Sequence, residues 1–135
     1  MVEAIQMSDN FEKIYAISQE CLHEIVSVQD QPQTILNHWK LIKVRGRDGN
    51  FSRHLSGLAD GEGRASTDIV SLDILQLRAT TKSGRIYLLE CPGRDSDADW
   101  VFANWLRINR CTLHSDQTNA LLRLQSKLKV ARITS

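Results

Sequence analysis

The sequence predicts an α+β domain: a four- to five-stranded antiparallel sheet, built as a meander of hairpins, flanked by an N-terminal amphipathic helix and two C-terminal helices. Three observations lead there. Apolar residues recur at helical steps near both ends of the chain, β-branched and aromatic residues alternate through its middle, and glycine with Asp or Asn punctuates that middle at short intervals. A chain of 135 residues with 41% apolar composition is expected to form one domain over 1–135, with a core large enough to need neither metal nor disulfide.

Over 8–28, Phe11, Ile14, Ile17, Cys21, Ile25 and Val28 are spaced three or four apart, which is one face of a helix. Ser8 or Asp9 suits its N-cap, Glu12 its acid-favouring first turn, and Pro32 marks the end. The β core is expected over 37–90. It opens with a strand over 37–45, turns at Gly46-Arg47-Asp48-Gly49-Asn50 and returns over 51–56. The stretch 57–67, with three glycines and almost no large apolar group, reads as a long functional loop. Strands over 68–73, 75–81 and 85–90 complete the meander, and Cys91-Pro92-Gly93 breaks it. The C-terminal part, 96–130, is expected to be helical: one helix over 96–110 and a last one, capped by Ser115 or Asp116, carrying Leu121, Leu124 and Leu128.

Charge is uneven along this order. Residues 1–37 hold one base and six acids, residues 38–94 ten bases and six acids, and the whole chain nets +1. An acidic head beside a basic middle suits self-complementary packing or a basic face offered to an acidic partner. Cys21, Cys91 and Cys111 are odd in number and far apart, so they read as reduced, mostly buried thiols. No signal peptide or long apolar run is visible, and the expectation is a cytoplasmic protein with no membrane association.

Sites of known chemistry are sparse. Asp95-x-Asp97-x-Asp99 has the carboxylate spacing that opens a calcium loop, but Trp100 stands where that loop needs glycine and Leu106 where it needs Glu, and helix capping accounts for the same acids. Asp60-Gly61-Glu62-Gly63-Arg64 lacks the Lys-Ser/Thr of a phosphate-binding loop. His23, His38, His54 and His114 have no zinc spacing, and Ser52-Arg53-His54 is read as no catalytic pair because neighbouring strand residues face opposite ways. No cofactor and no catalytic residue is expected. Trp100 and Trp105 project about 140° apart on their helix, which puts one in the core and one at its margin.

The strongest cluster is basic. Lys43, Arg45, Arg47 and Arg53 surround the first hairpin, Arg64 follows in the 57–67 stretch, and Trp39 flanks the group. Guanidinium groups suit bidentate contact with carboxylate or phosphate. Nearby Asp48, Asp60, Glu62 and Asp68 offer an alternative, in which acids and arginines of the chain pair with each other. The expected function is a non-enzymatic interaction module whose arginine hairpin and glycine-rich stretch take an acidic protein or a second copy of the chain as a homodimer. A nucleic-acid binder using the same arginines is the alternative, and a small enzyme with no local motif the third reading.

Overall fold

The computed structural model describes Gln29 and residues 32–134. The helix expected over 8–28 lies outside the described residues. Seven strands and two helices make up the rest: β1 (Gln33–Arg45), β2 (Phe51–Ala59), β3 (Glu62–Ala65), β4 (Ile69–Asp73), β5 (Arg78–Thr81), β6 (Ile86–Leu89), α1 (Ser96–Asn109), β7 (Thr112–Asp116) and α2 (Thr118–Thr134). Among the described residues, no helix is long and apolar enough to cross a membrane.

The antiparallel four- to five-stranded sheet is corrected to a seven-stranded mixed sheet, in the order β3-β2-β1-β6-β5-β4 with β7 also on β1. The length of β1 is the cause. One edge pairs with β2 from Asn37 to Arg45; the other carries β6 in parallel along Gln33 to Leu36 and β7 antiparallel along Ile42 to Arg45. A bulge near His38, whose φ is +49°, shifts the register between those two halves. Parallel pairing leaves no hairpin turn in the sequence to announce it, and β7 is a short, mostly exposed TLHSD without alternation.

The expected loop over 57–67 is also corrected. Asp60 and Gly61, at φ +53° and +79°, form a two-residue turn between the paired Ala59 and Glu62, so the segment is strand, turn and strand. Its other glycines serve close approach. A Cβ at Gly57 would lie 2.8 Å from the Asn37 carbonyl oxygen, and one at Gly63 would lie 2.6 Å from Val101 Cγ2.

Alternation along β1 and β2 sends side chains to two faces. On one, Leu36, Trp39, Leu41, Leu55 and Ala59 meet Ala79, Tyr87 and Leu89 of the second meander and Leu121 of α2. The sheet curls over this core until β4 contacts β2. On the other face α1 packs on β2 and β3 through Ala98, Val101, Phe102 and Trp105. The two C-terminal helices therefore flank opposite faces of the sheet. Asp95 caps α1 by accepting the Asp97 and Ala98 amides at 3.0 Å each, and Asp116 accepts the Thr118 amide at the start of α2. Trp105 is buried and Trp100 is 49% exposed, as their angular separation requires.

Candidate functional site

Seven paired positions and a tight turn hold the β1–β2 hairpin. Gly49, at φ +86°, makes the reversal, and Asp48 accepts the Asn50 amide at 2.9 Å and its side-chain nitrogen at 3.0 Å. Those two hydrogen bonds hold the Asp48 carboxyl below the usual carboxylate range. Asp48 is therefore engaged in the turn and does not pair with the neighbouring arginines.

At the mouth of this hairpin, Phe51 stands 48% exposed. Lys43 Nζ lies 4.5 Å and the Arg45 guanidinium 5.7 Å from its ring centre, while the His114 ring meets its edge at 4.9 Å. Strand register places Lys43 directly opposite Arg53, two cations on one face. Arg53 donates through Nε to Gln117 at 2.7 Å, and Arg47 is exposed in the turn. Among the described residues, no acidic side chain pairs with Lys43, Arg45, Arg47 or Arg53.

Beside Phe51 a cleft of about 640 Å³ opens between β2, β4 and α2. Leu41, Leu72, Ile74 and Leu121 give it apolar walls; Phe51, Val70 and Leu124 stand at its margin, and Arg53 supplies charge. The site is thus an apolar cleft running into a cationic, aromatic rim. No family model, curated protein or solved structure matches the chain.

Of the residues singled out from the sequence, Lys43, Arg45 and Arg53 come together here, and Arg47 lies exposed in the adjoining turn. Trp39 does not join them. It is 0% exposed, with Nε1 donating to the Glu90 carbonyl at 3.2 Å, and belongs to the core. Arg64 does not either: it pairs with Gly57, six positions along β2 from Phe51, or about 20 Å. Its Nη1 is buried without a hydrogen-bond partner. Arg85 is also buried, reaching Thr34 Oγ1 at 3.3 Å. Cys91 is exposed and Cys111 half-buried, so the described thiols are more open than expected; burial and the Asp68 and Asp48 carboxylates push the Cys111 thiol up.

Sequence reasoning missed the cleft, because its walls come from the β1–β2 hairpin, β4 and α2, and no local pattern connects those three. It also misread Ser52 and His54. These are two residues apart in a strand, so they share a face, and Ser52 Oγ lies 2.7 Å from His54 Nε2. The Ser66 carbonyl, 2.9 Å from Nδ1, can only accept, which puts the proton of the neutral ring on Nδ1 and makes Nε2 the acceptor of the Ser52 hydroxyl. Asp68 Oδ1 is 3.3 Å from Nε2. The imidazole is 3% exposed, lies 4.5 Å from the Trp105 ring and does not line the cleft. Buried there, His54 latches the β3–β4 connection onto β2. Burial pushes its pKa down, against the Ser66 carbonyl, the Asp68 carboxylate and the Thr67 backbone, which raise it.

Proposed function

We propose that the protein is a non-enzymatic binding module that takes a polypeptide segment carrying apolar side chains flanked by acids. The observation that carries this reading is the cationic rim: Lys43 and Arg45 around an exposed Phe51, with Arg53 directly opposite Lys43 and no acid of the described chain between them. Like charges placed opposite each other across two strands oppose folding, by roughly 0.2–1 kcal/mol. A partner's carboxylates offset that cost on binding. The adjoining apolar cleft favours a polypeptide over a nucleic-acid strand, whose phosphates and sugars have no use for walls of Leu41, Leu72, Ile74 and Leu121.

The reading is tested by affinity capture with wild type and with the Arg45→Ala/Arg47→Ala and Phe51→Ala variants, followed by mass spectrometry and direct binding of the recovered partner. Loss of an acidic partner in both variants, with the unfolding midpoint unchanged, supports the reading. Retention in both overturns it. A parallel titration with single-stranded and duplex oligonucleotides separates the alternative, since affinity that falls steeply on a log-log salt plot would assign the rim to nucleic acid.

A further inference from the structure

The outer edge of β2 is paired along its second half and bare along its first. Gly46 donates to the Asn50 carbonyl at 2.8 Å, one step beyond the Arg45–Phe51 pair, so the alternation of an antiparallel ladder gives the bonds to β1 to Ser52 and His54. The odd-numbered residues of β2 turn their N–H and C=O groups the other way. On that side Ala59 and Gly57 face Glu62 and Arg64, and the Leu55 carbonyl accepts the Ser66 amide at 2.9 Å. There the ladder stops. Continued, it would set Asp68 beside Arg53 and Val70 beside Phe51, but the Asp68 carbonyl accepts from the Lys82 amide at 2.7 Å and Ile69 pairs with Thr81, so the chain leaves β2 for β5. Among the described residues, nothing bonds to the backbone N–H and C=O of Phe51 and Arg53.

These four groups border the cleft, which has Phe51 to Arg53 on one side and Asp68 to Leu72 on the other. A bare strand edge is a template for another chain, because an added strand satisfies donors and acceptors that are already aligned. Side-chain chemistry at the same place is specific. Phe51 and Arg53 share the face of β2 that carries the buried Leu55, and both line the cleft, with Lys43 directly across from Arg53.

We propose that the partner segment is held as an extended strand, added antiparallel to β2 at Phe51 and Arg53 where β3 leaves off, and that it reads acid-x-apolar from its N-terminus. This rests on reading the cleft and rim as the partner site, and specifies how the segment is held there. One partner residue exchanging both backbone bonds with Arg53, and another doing so with Phe51, satisfies all four groups. Residues directly opposite in a ladder project to the same face, so both partner side chains enter the cleft. The one opposite Arg53 meets the guanidinium and the Lys43 ammonium, where a carboxylate fits; the one opposite Phe51 meets that ring and the apolar walls. In an antiparallel strand the first precedes the second by two residues.

Short capped peptides with a threonine background and a central Glu-Thr-Leu are the probe, with Leu-Thr-Glu and Lys-Thr-Leu versions as controls. Binding is read together with amide exchange resolved by NMR in ¹⁵N-labelled protein. Without peptide, the Phe51 and Arg53 amides exchange at least about tenfold faster than those of Ser52 and His54. Saturation with the Glu-Thr-Leu peptide slows the Phe51 and Arg53 amides about tenfold or more. The Lys-Thr-Leu peptide binds about fivefold or more weaker, and Arg53→Glu removes that difference. No binding of the Glu-Thr-Leu peptide at about 1 mM, or equal affinity for the Leu-Thr-Glu order, overturns the proposal. Binding that is lost in Phe51→Ala while the two amides stay unprotected in wild type keeps the rim as the partner site and overturns the added strand. Protected amides with an affinity indifferent to Phe51→Ala and to Arg45→Ala/Arg47→Ala support the added strand and overturn the rim reading.

Discussion

Phe51 and Trp39 are both aromatic residues beside basic ones in the sequence, and they have opposite fates. Trp39 falls on the core side of β1, in the stretch where Cys91, Pro92 and Gly93 close over it, whereas Phe51 starts β2 at the sheet's end, with cations on both sides. Phe51→Ala should therefore lower stability by only about 0.5–1 kcal/mol, the worth of an exposed cation–π contact, while abolishing partner binding. Trp39→Ala should cost about 3–5 kcal/mol in a denaturant titration. His54 gives a prediction in pH. Its folded pKa lies below the unfolded value of 6.5, so its stabilising contribution is complete above that value and is lost as pH falls through the folded pKa. The denaturation midpoint should drop on acidification from neutral pH. His54→Asn should be less stable at neutral pH and flatter in its pH response, and an equally steep response in that variant would remove His54 as the cause. The basic residues of the site were legible as a cluster, because four of them bracket one turn. Separating them from Arg64, Arg85 and Trp39 was not possible, since burial depends on which neighbours the sheet brings.

Among the elements, the first hairpin, the second meander and α1 were readable because each carries its own local signal: Asp48-Gly49 at φ +86°, Ser83-Gly84 at φ +93°, and Asp95 as a cap before a periodic apolar run. Segment 57–67 misled because glycine has two uses. Gly61 supplies a positive φ in a turn, while Gly57 and Gly63 make room for Leu36 and for α1. Substitution separates the two. Gly57→Ala and Gly63→Ala should each cost about 1–3 kcal/mol through overpacking, since their Cβ atoms would meet neighbours at 2.8 Å and 2.6 Å. Gly61→Ala, with open space around it, should cost only about 1 kcal/mol through its backbone conformation. Asp95→Ala should remove about 1 kcal/mol by uncapping α1. Thermal unfolding of the four variants checks the order, and equal losses at all three glycines would contradict the packing role of Gly57 and Gly63.

For the whole molecule, the uneven charge becomes a property of one end of the sheet. Lys43 and Arg53 face each other across β1 and β2, so Arg53→Glu, which turns a repulsive pair into an attractive one, should leave the unfolding midpoint unchanged or raise it while eliminating partner binding. A fall in midpoint of more than the Gln117 hydrogen bond accounts for, or binding that survives, would count against the rim as a site kept at the expense of stability. Composition and local pattern determined that the described residues take an α+β fold with a basic hairpin, because turn chemistry, capping and alternation act between residues close in sequence. Tertiary structure alone decided that β6 and β7 share an edge of β1, that α1 and α2 lie on opposite faces, and that Arg53 and Phe51 line an apolar cleft, with Lys43 and Arg45 over the Phe51 ring. Those outcomes depend on contacts between segments tens of residues apart, set by how one long strand distributes its two edges.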